Sequence, residues 1–401
     1  MEILIPTGVF DILPYDKKEP WRSSYIWQHL EKAMREHAAF FCCQEIRTPM
    51  FERTELFQRS VGDGTDIVSK EMYTFQDKGG RSMSLRPEGT ASVMRAFVEK
   101  QLNNEPGPYR YFYIGPMFRY ERPQSGRYRQ HHQFGVEIVG EEQPETDAET
   151  IQMLFALYEK LGLTNLTVHI NTLGCDQARA KYRAALKLYL QPHIAKLSDD
   201  SKIRFEKNPL RILDSKDPED KLIIEKAPSI RDFLTPECEK HFSRVIELLG
   251  DFGIPFQFNK NLVRGLDYYN RTVFEITSGQ LGAQNTVGAG GRYDGLLKML
   301  SGPDLPSIGF STGIERIIQA LVHQKQLEAI PKFAIQLYII PLGSEATRYC
   351  LKLALHLRKE SIACFVDTSE KKLKNMMQKA SNSNAKYALV IGITRFLHHI
   401  F

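Results

Sequence analysis

The chain has 401 residues, 42% hydrophobic and 25% charged, an ordinary folded-protein balance with room for two to three domains. No apolar run reaches the length of a membrane span, and the N-terminus (MEILIPTGVF) lacks a basic segment before an apolar one. These features argue against a membrane protein or a secretory leader and make a cytoplasmic location the default. The net charge of +5 is unevenly placed: residues 332–401 hold 11 Lys and Arg against 4 Asp and Glu, and the remaining chain sums to −2. Such a basic tail is an electrostatic footprint for nucleic acid, with plain solubility as the alternative.

PTGVFDILP (6–14) is a turn-rich opening. Trp21 to Phe41 then predicts a long amphipathic helix, with Ile26, Leu30, Met34 and Ala38 at helical spacing. CCQEIRTPM (42–50) predicts a strand stopped by Pro49, and Glu55–Asp77 a Gly-containing loop with strand character near Met72–Phe75. Ser82–Arg86 reads as a short strand, and RPEGT (86–90) opens a helix reaching about Lys100. Glu88 and Thr90 there suit either a cationic ligand group or simple helix capping.

FYIGPMFRYERPQSGRYRQHHQFGVEIVG (112–140) reads as a hairpin. Its arms end near Arg119 and run from Arg129 to Val139, and Pro123, Ser125 and Gly126 supply the turn. Arg119, Arg122, Arg127 and Arg129 come with no lysine, and planar guanidinium forks match phosphate oxygens in pairs. Alternation puts Arg129, His131, Gln133, Gly135 and Glu137 on one face and Phe134, Val136 and Ile138 on the other. The apolar set belongs in a core, so the polar set is expected to line a cleft, with Gln133 and Glu137 roughly 13 Å apart. A solvated hairpin, or generic RNA contact, is the alternative.

Glu141–Asp147 is acidic and expected to be exposed; Thr150–Leu161 reads as helix and Asn165–Asn171 as strand. Cys175 to about Phe242 reads as an inserted, mostly helical module. NLVRGLDYYNRTVFEI (261–276) predicts a loop between short strands, with Arg264 beside the pair Tyr268–Tyr269, either aromatic ligand walls or ordinary packing. The glycines of GAGGRYDG (288–295) permit close backbone approach or turns, and match neither a dinucleotide nor a P-loop fingerprint. In GFSTGIER (309–316), Ser311 or Thr312 is expected to cap a helix whose apolar face is Ile314, Ile317, Ile318, Leu321 and Val322. Arg316 near that helix start opposes the dipole, which favours a ligand role or a salt bridge. After a linker at 324–332, strands and helices alternate as in a small α/β domain with a partly parallel sheet. The six cysteines (42, 43, 175, 238, 350 and 364) show no metal spacing and read as reduced packing residues.

The Arg-only hairpin, RPEGT, LVRGLDYYNRTVFE and GFSTGIER together resemble the class II aminoacyl-tRNA synthetases. LVRGLDYYNRTVFE with GGRYDGL resembles the histidyl-tRNA synthetase family in particular, over nearly the whole chain. The resemblance implies an α+β catalytic core at 1–325, an antiparallel sheet flanked by helices, interrupted by the helical insertion at about 175–242. It also implies a basic α/β anticodon-binding domain at 332–401, expected to be shortened at ITRFLHHIF, and a homodimer built around Pro49. Histidine's carboxylate would attack the α-phosphate of ATP, a substrate accompanied by Mg²⁺, and the histidyl group would pass to tRNA(His). No tightly bound organic cofactor is implied, and no metal ligands can be named. Arg119 and Arg264 would flank the α-phosphate, and Arg264 would also meet the substrate carboxylate. Arg127 and Arg316 would hold the distal phosphates. Glu137 and Tyr269 would pair the imidazole, Glu88, Thr90 and Gln133 would hold the α-ammonium, Tyr268 and Tyr293 would wall the pocket, and Gly89 and Arg119 would also contact histidine. His131 stands where family members often have phenylalanine near the adenine. A rival implication is a non-ligating subunit that binds histidine and partners ATP phosphoribosyltransferase; a bare RNA-binding module would leave Glu137, Gln133 and the tyrosines unexplained.

Overall fold

Helix α1 (Ser24–Phe40) is the first long element of the computed structural model, which describes residues 3–62, 65–122, 126–279, 285–332 and 334–392. It buries Ile26, Trp27, Leu30, Met34 and Ala38 on one stripe. The CCQEIRTPM stretch is strand only at β1 (Gln44–Glu45), because Pro49 cannot donate to a ladder and breaks it from β2 (Phe51–Arg53). Helix α2 (Thr54–Val61) occupies part of the expected loop, burying Leu56, Phe57 and Val61. Next, β3 (Thr74–Gln76) and β4 (Ser82–Leu85) join β2 in a small antiparallel sheet.

Helix α3 (Thr90–Glu99) follows RPEGT, and the hairpin arms are β5 (Tyr109–Phe118) and β6 (Gln130–Val139). Pro123 and Ser125, expected at its turn, lie outside the described residues. After α4 (Pro144–Lys160) and β7 (Leu166–Thr172) comes the helical module with α5 (Asp176–Leu190), α6 (Asp199–Lys207), α7 (Pro218–Ile224) and α8 (Pro236–Asp251). Helix α8 runs past 242, because Phe242, Val245 and Leu249 belong to the main core. Then come β8 (Phe256–Phe258), β9 (Asn270–Ser278), β10 (Thr286–Arg292), α9 (Leu296–Met299), β11 (Ser307–Gly313) and α10 (Ile314–His323). The glycines from 288 to 291 therefore sit in a strand rather than a turn.

The main sheet has the order β1-β5-β6-β11-β10-β9-β7-β8. Its six inner strands pair antiparallel, and the short β1 and β8 add parallel at the edges. One face presents Phe134, Val136, Ile138, Phe274, Ile276 and Phe310 to a core shared with α1, α4, α8 and α10. Each such side chain stabilises the fold by roughly 1.5–3 kcal/mol. The other face, carrying Tyr113, Val273 and Tyr293, packs with α3 and α5.

The chain divides into two compact units, the second beginning at Pro331. In the second, β12 (Leu337–Leu342), α11 (Ser344–Lys359), β13 (Cys364–Val366), α12 (Leu373–Asn382) and β14 (Tyr387–Gly392) form a three-stranded sheet of order β13-β12-β14. Both pairings are parallel, as connecting helices require. The expected shortened ending, 393–401, lies outside the described residues.

The acidic stretch leading into the first turn of α4 departs from expectation. Asp147 is buried, not exposed: it accepts from Arg292 Nε at 2.8 Å and from His241 Nε2 at 2.8 Å. Burial pushes the carboxyl up, but Arg292 and His241 outweigh it and hold Asp147 below its ordinary value. Both Asp147 and Arg292 side chains are 0% exposed, so removing one deprives the other's buried charge of its fully buried counter-ion. Arg292→Ala is expected to lower stability by about 3–5 kcal/mol. Urea unfolding of the full chain checks this: the midpoint of the first unit's transition falls while its slope stays the same.

Candidate active site

Two rows of residues in cross-strand register shape a trough on the sheet face opposite the main core. One runs Tyr113–Gly135–Ser311–Ala289–Glu275, the other Tyr111–Glu137–Gly309–Gly291–Val273. Small residues fill the middle of both. Gly309 is required: a Cβ there would fall 2.3 Å from Glu137 Oε2 and 2.8 Å from the Tyr293 hydroxyl. The Tyr113 ring fits under the trough because Gly135 and Gly89 lack side chains; a Cβ on either would meet it at 2.3 or 2.2 Å.

At one end lies a cavity of about 260 Å³ lined by Arg119, Arg127, Arg264, Arg316, His131 and Gln133. Arg119 and Arg264 thus face the same space. Three of the arginines are held by neighbouring oxygens. Arg119 Nε donates to the Pro87 carbonyl at 2.9 Å, Arg127 lies 3.3 Å from Glu121, and Arg264 is paired with Glu275, itself accepting from Thr286 at 3.0 Å. Arg316, the third residue of α10, has its basicity lowered by burial and then by the charge of Arg127. Four guanidiniums face two lining carboxylates, Glu121 and Glu315, among the described residues. An arrangement with that excess attracts a polyanion such as a triphosphate.

Farther along the trough, Glu137 is 1% exposed. Its oxygens accept from the Thr90 hydroxyl at 2.7 Å and from the Tyr293 hydroxyl. Burial pushes its carboxyl up to about 8 against those bonds. Glu88 accepts from the Thr90 and Ala91 amides at 2.7 and 2.9 Å, so the capping reading of RPEGT is realised. Burial raises the Glu88 carboxyl as well. Tyr268, Tyr269 and Tyr293 cluster beside the pair with ring centroids 4.7–6.1 Å apart. Two buried acids bonded only to uncharged donors make a pocket suited to a small cation with polar ends.

Several expectations fail locally. Arg129 does not line the cavity; its guanidinium stacks over Tyr120 at 4.0 Å and reaches the Thr7 carbonyl, while Arg122 is exposed. Neither Ser311 nor Thr312 caps α10, since β11 continues to Gly313 and Thr312 bonds Tyr158 and the Val287 carbonyl. Val322 is 43% exposed rather than part of the buried stripe. Three supports escaped sequence reasoning. Tyr113 had no signal beyond strand alternation. Glu275 was a lone acid in an apolar strand. Glu315 resembled a helix-start acid, yet it clamps the His132 amide and ring at 2.9–3.0 Å.

Residues 19–317 match the family model described as histidyl-tRNA synthetase, and 336–396 match the anticodon binding domain. The histidine–tRNA ligase of Protochlamydia amoebophila is 56% identical over 98% of this chain and 92% of its own length. The apo histidyl-tRNA synthetase of S. aureus superposes with a TM-score of 0.81 at 38% identity, over 98% of this chain and 92% of that one. An ATP phosphoribosyltransferase regulatory subunit/histidyl-tRNA synthetase from Bacillus halodurans shares the fold, at a TM-score of 0.68 and 22% identity, over 98% of this chain and all of the other. With a trough of this construction and relatives of this closeness, the chain belongs to the histidyl-tRNA synthetase family.

Proposed function

We propose that this chain ligates L-histidine to tRNA(His) in two steps, with ATP as co-substrate, as a cytoplasmic homodimer. The observation that carries the reading is the adjacency, in one trough, of an arginine-lined cavity and the buried Glu137–Glu88 pair. A carboxylate oxygen of histidine attacks the α-phosphorus of ATP, and pyrophosphate leaves. Negative charge grows on an already anionic centre, so fixed guanidiniums at Arg119 and Arg264 lower the barrier, while Arg127 and Arg316 steady the distal phosphates. A ribose hydroxyl at the tRNA terminus then attacks the carbonyl of the adenylate, and AMP leaves.

Glu137 accepts a ring N–H of the substrate imidazole and Tyr269 bonds the other nitrogen. Glu88, the Gly89 backbone, Thr90 and Gln133 surround the α-ammonium, with Tyr268 and Tyr293 as walls. Mg²⁺ accompanying ATP would be held mainly by phosphate oxygens, with Glu121 among the lining carboxylates. The ion would neutralise phosphate charge. No described helix is long and apolar enough to cross a membrane. The match of 336–396 to an anticodon-binding model and the basic balance of 332–401 support tRNA contact by the second unit. A non-ligating histidine-binding subunit would have no use for that unit or for four cavity arginines.

Histidine-dependent ATP–pyrophosphate exchange, measured beside tRNA charging, tests the reading. For Glu137→Gln, kcat/KM for histidine is expected to fall at least about 100-fold, equivalent to about 2.7 kcal/mol. Wild-type histidine affinity should rise as pH climbs toward about 8 and level off above, because the accepting carboxylate forms only as Glu137 loses its proton. The glutamine variant should show no such rise; unchanged exchange would remove Glu137 from the pocket. Arg264→Ala should lower the exchange kcat by about 100- to 1000-fold, the usual loss for a preorganised charge-stabilising donor. The exposed pair Met50 and Phe51 at the start of β2 supports a dimer face. Sedimentation equilibrium should give twice the 46.1 kDa chain mass for the wild type, and half that value for Phe51→Glu.

A further inference from the structure

Two of the six cysteines differ from the rest. Cys175 and Cys238 stand 63 positions apart, yet they meet at the base of the helical module, where the chain leaves β7 and returns along α8. Cys175 is the N-cap residue of α5, and Cys238 lies in the first turn of α8. The Cys175 amide donates to the Cys238 sulfur at 3.3 Å. Two helix starts therefore converge on two sulfurs, a setting that favours thiolate.

Burial works against ionisation of Cys175, but the polarity of the Ala178 amide, Cys238, Thr235 and the Gln177 amide prevails and holds its thiol below the ordinary value. By contrast, burial pushes the Cys43 thiol up to about 12 and also raises Cys350. Cys175 is half-buried and reachable by a small oxidant, whereas Cys238 is only 5% exposed behind it. That is the arrangement of an attacking and a resolving thiol.

We propose that Cys175 and Cys238 form an oxidation site for hydrogen peroxide, closing a disulfide that staples the two ends of the helical module. The Cys175 thiolate attacks one peroxide oxygen, the O–O bond breaks, and the departing hydroxide takes a proton to become water. The Cys238 thiol, giving up its proton, then attacks the sulfenic sulfur and expels hydroxide, which leaves as a second water. Two thiols lose two electrons and one peroxide gains them.

The staple reaches the trough, a consequence that rests on the ligase reading. The Gly174 carbonyl accepts from the Arg271 amide at 3.0 Å, the Arg271 carbonyl from the Leu173 amide at 2.6 Å, and the Tyr269 carbonyl from Arg179 at 2.7 Å. Joining the sulfurs ends the amide–sulfur contact and moves the Gly174–Cys175 peptide, which grips the segment carrying Tyr268 and Tyr269. Histidine binding weakens.

The test treats the full chain with hydrogen peroxide, blocks free thiols with N-ethylmaleimide and maps non-reduced peptides by mass spectrometry. A Cys175–Cys238 cross-link is expected in the wild type and in neither Cys238→Ser nor Cys175→Ser. Oxidation should raise the histidine KM in exchange roughly fivefold, leave the ATP KM unchanged, and be reversed by dithiothreitol. Absence of the cross-link, or an equal KM rise in Cys238→Ser, overturns the proposal. A cross-link with unchanged histidine KM overturns the coupling. If the untreated wild type lacks histidine-dependent exchange, the ligase reading fails, while the peptide map still judges the site.

Discussion

The structure depends on a register of small side chains. Across β6, β11 and β10, Gly135, Ser311 and Ala289 lie abreast, with Gly309 and Gly291 in the neighbouring row. Removing side-chain volume at matched positions on adjacent strands lowers the sheet surface into a trough without bending the backbone away. A one-residue slip of β6 would bring Phe134 and Val136 into it and send Gln133 and Glu137 to the core. The dense packing of the opposite face therefore protects the site: the apolar layer on α1, α4 and α10 admits one register only.

Within that trough, charge is organised by distance from the floor. The guanidiniums lean on acids or carbonyls at the rim, Glu275 for Arg264, Glu121 for Arg127 and the Pro87 carbonyl for Arg119. Deeper down, Glu137 and Glu88 have hydroxyls and amides instead of cations. The cavity end thus favours anions and the buried end favours a cation, so an amphoteric amino acid and a nucleotide can lie head to tail. Neither half alone would distinguish this site from a generic anion cleft or a buried acid.

Much of this was legible in the chain itself. The alternation QHHQFGVEIV gives β6 its two faces, and the separation of Phe134, Val136 and Ile138 from Gln133 and Glu137 survives intact. Long, strongly patterned helices such as α1 and α3 were likewise readable, and the family resemblance carried by the motifs around Arg119, Arg264 and Arg316 pointed to one cavity. Long-range pairing was not readable. Asp147 looked like one more surface acid because Arg292 and His241, its partners, are 145 and 94 positions away. Arg129 looked equivalent to Arg127 until the N-terminal segment and Tyr120 claimed it. Helix α2 escaped because its eight residues carry barely two turns of pattern, too few to outweigh the glycines that follow.

His131 illustrates how the wall composition shapes behaviour in solution. Burial, with the charges of Arg119 and His132, depresses its ring to about 3. An imidazole at this point consequently acts as a flat, neutral aromatic over the whole range in which cells live. A heterocycle here adds no switch near neutrality, and the cavity inherits none of the mid-acid titration that a surface histidine would impose.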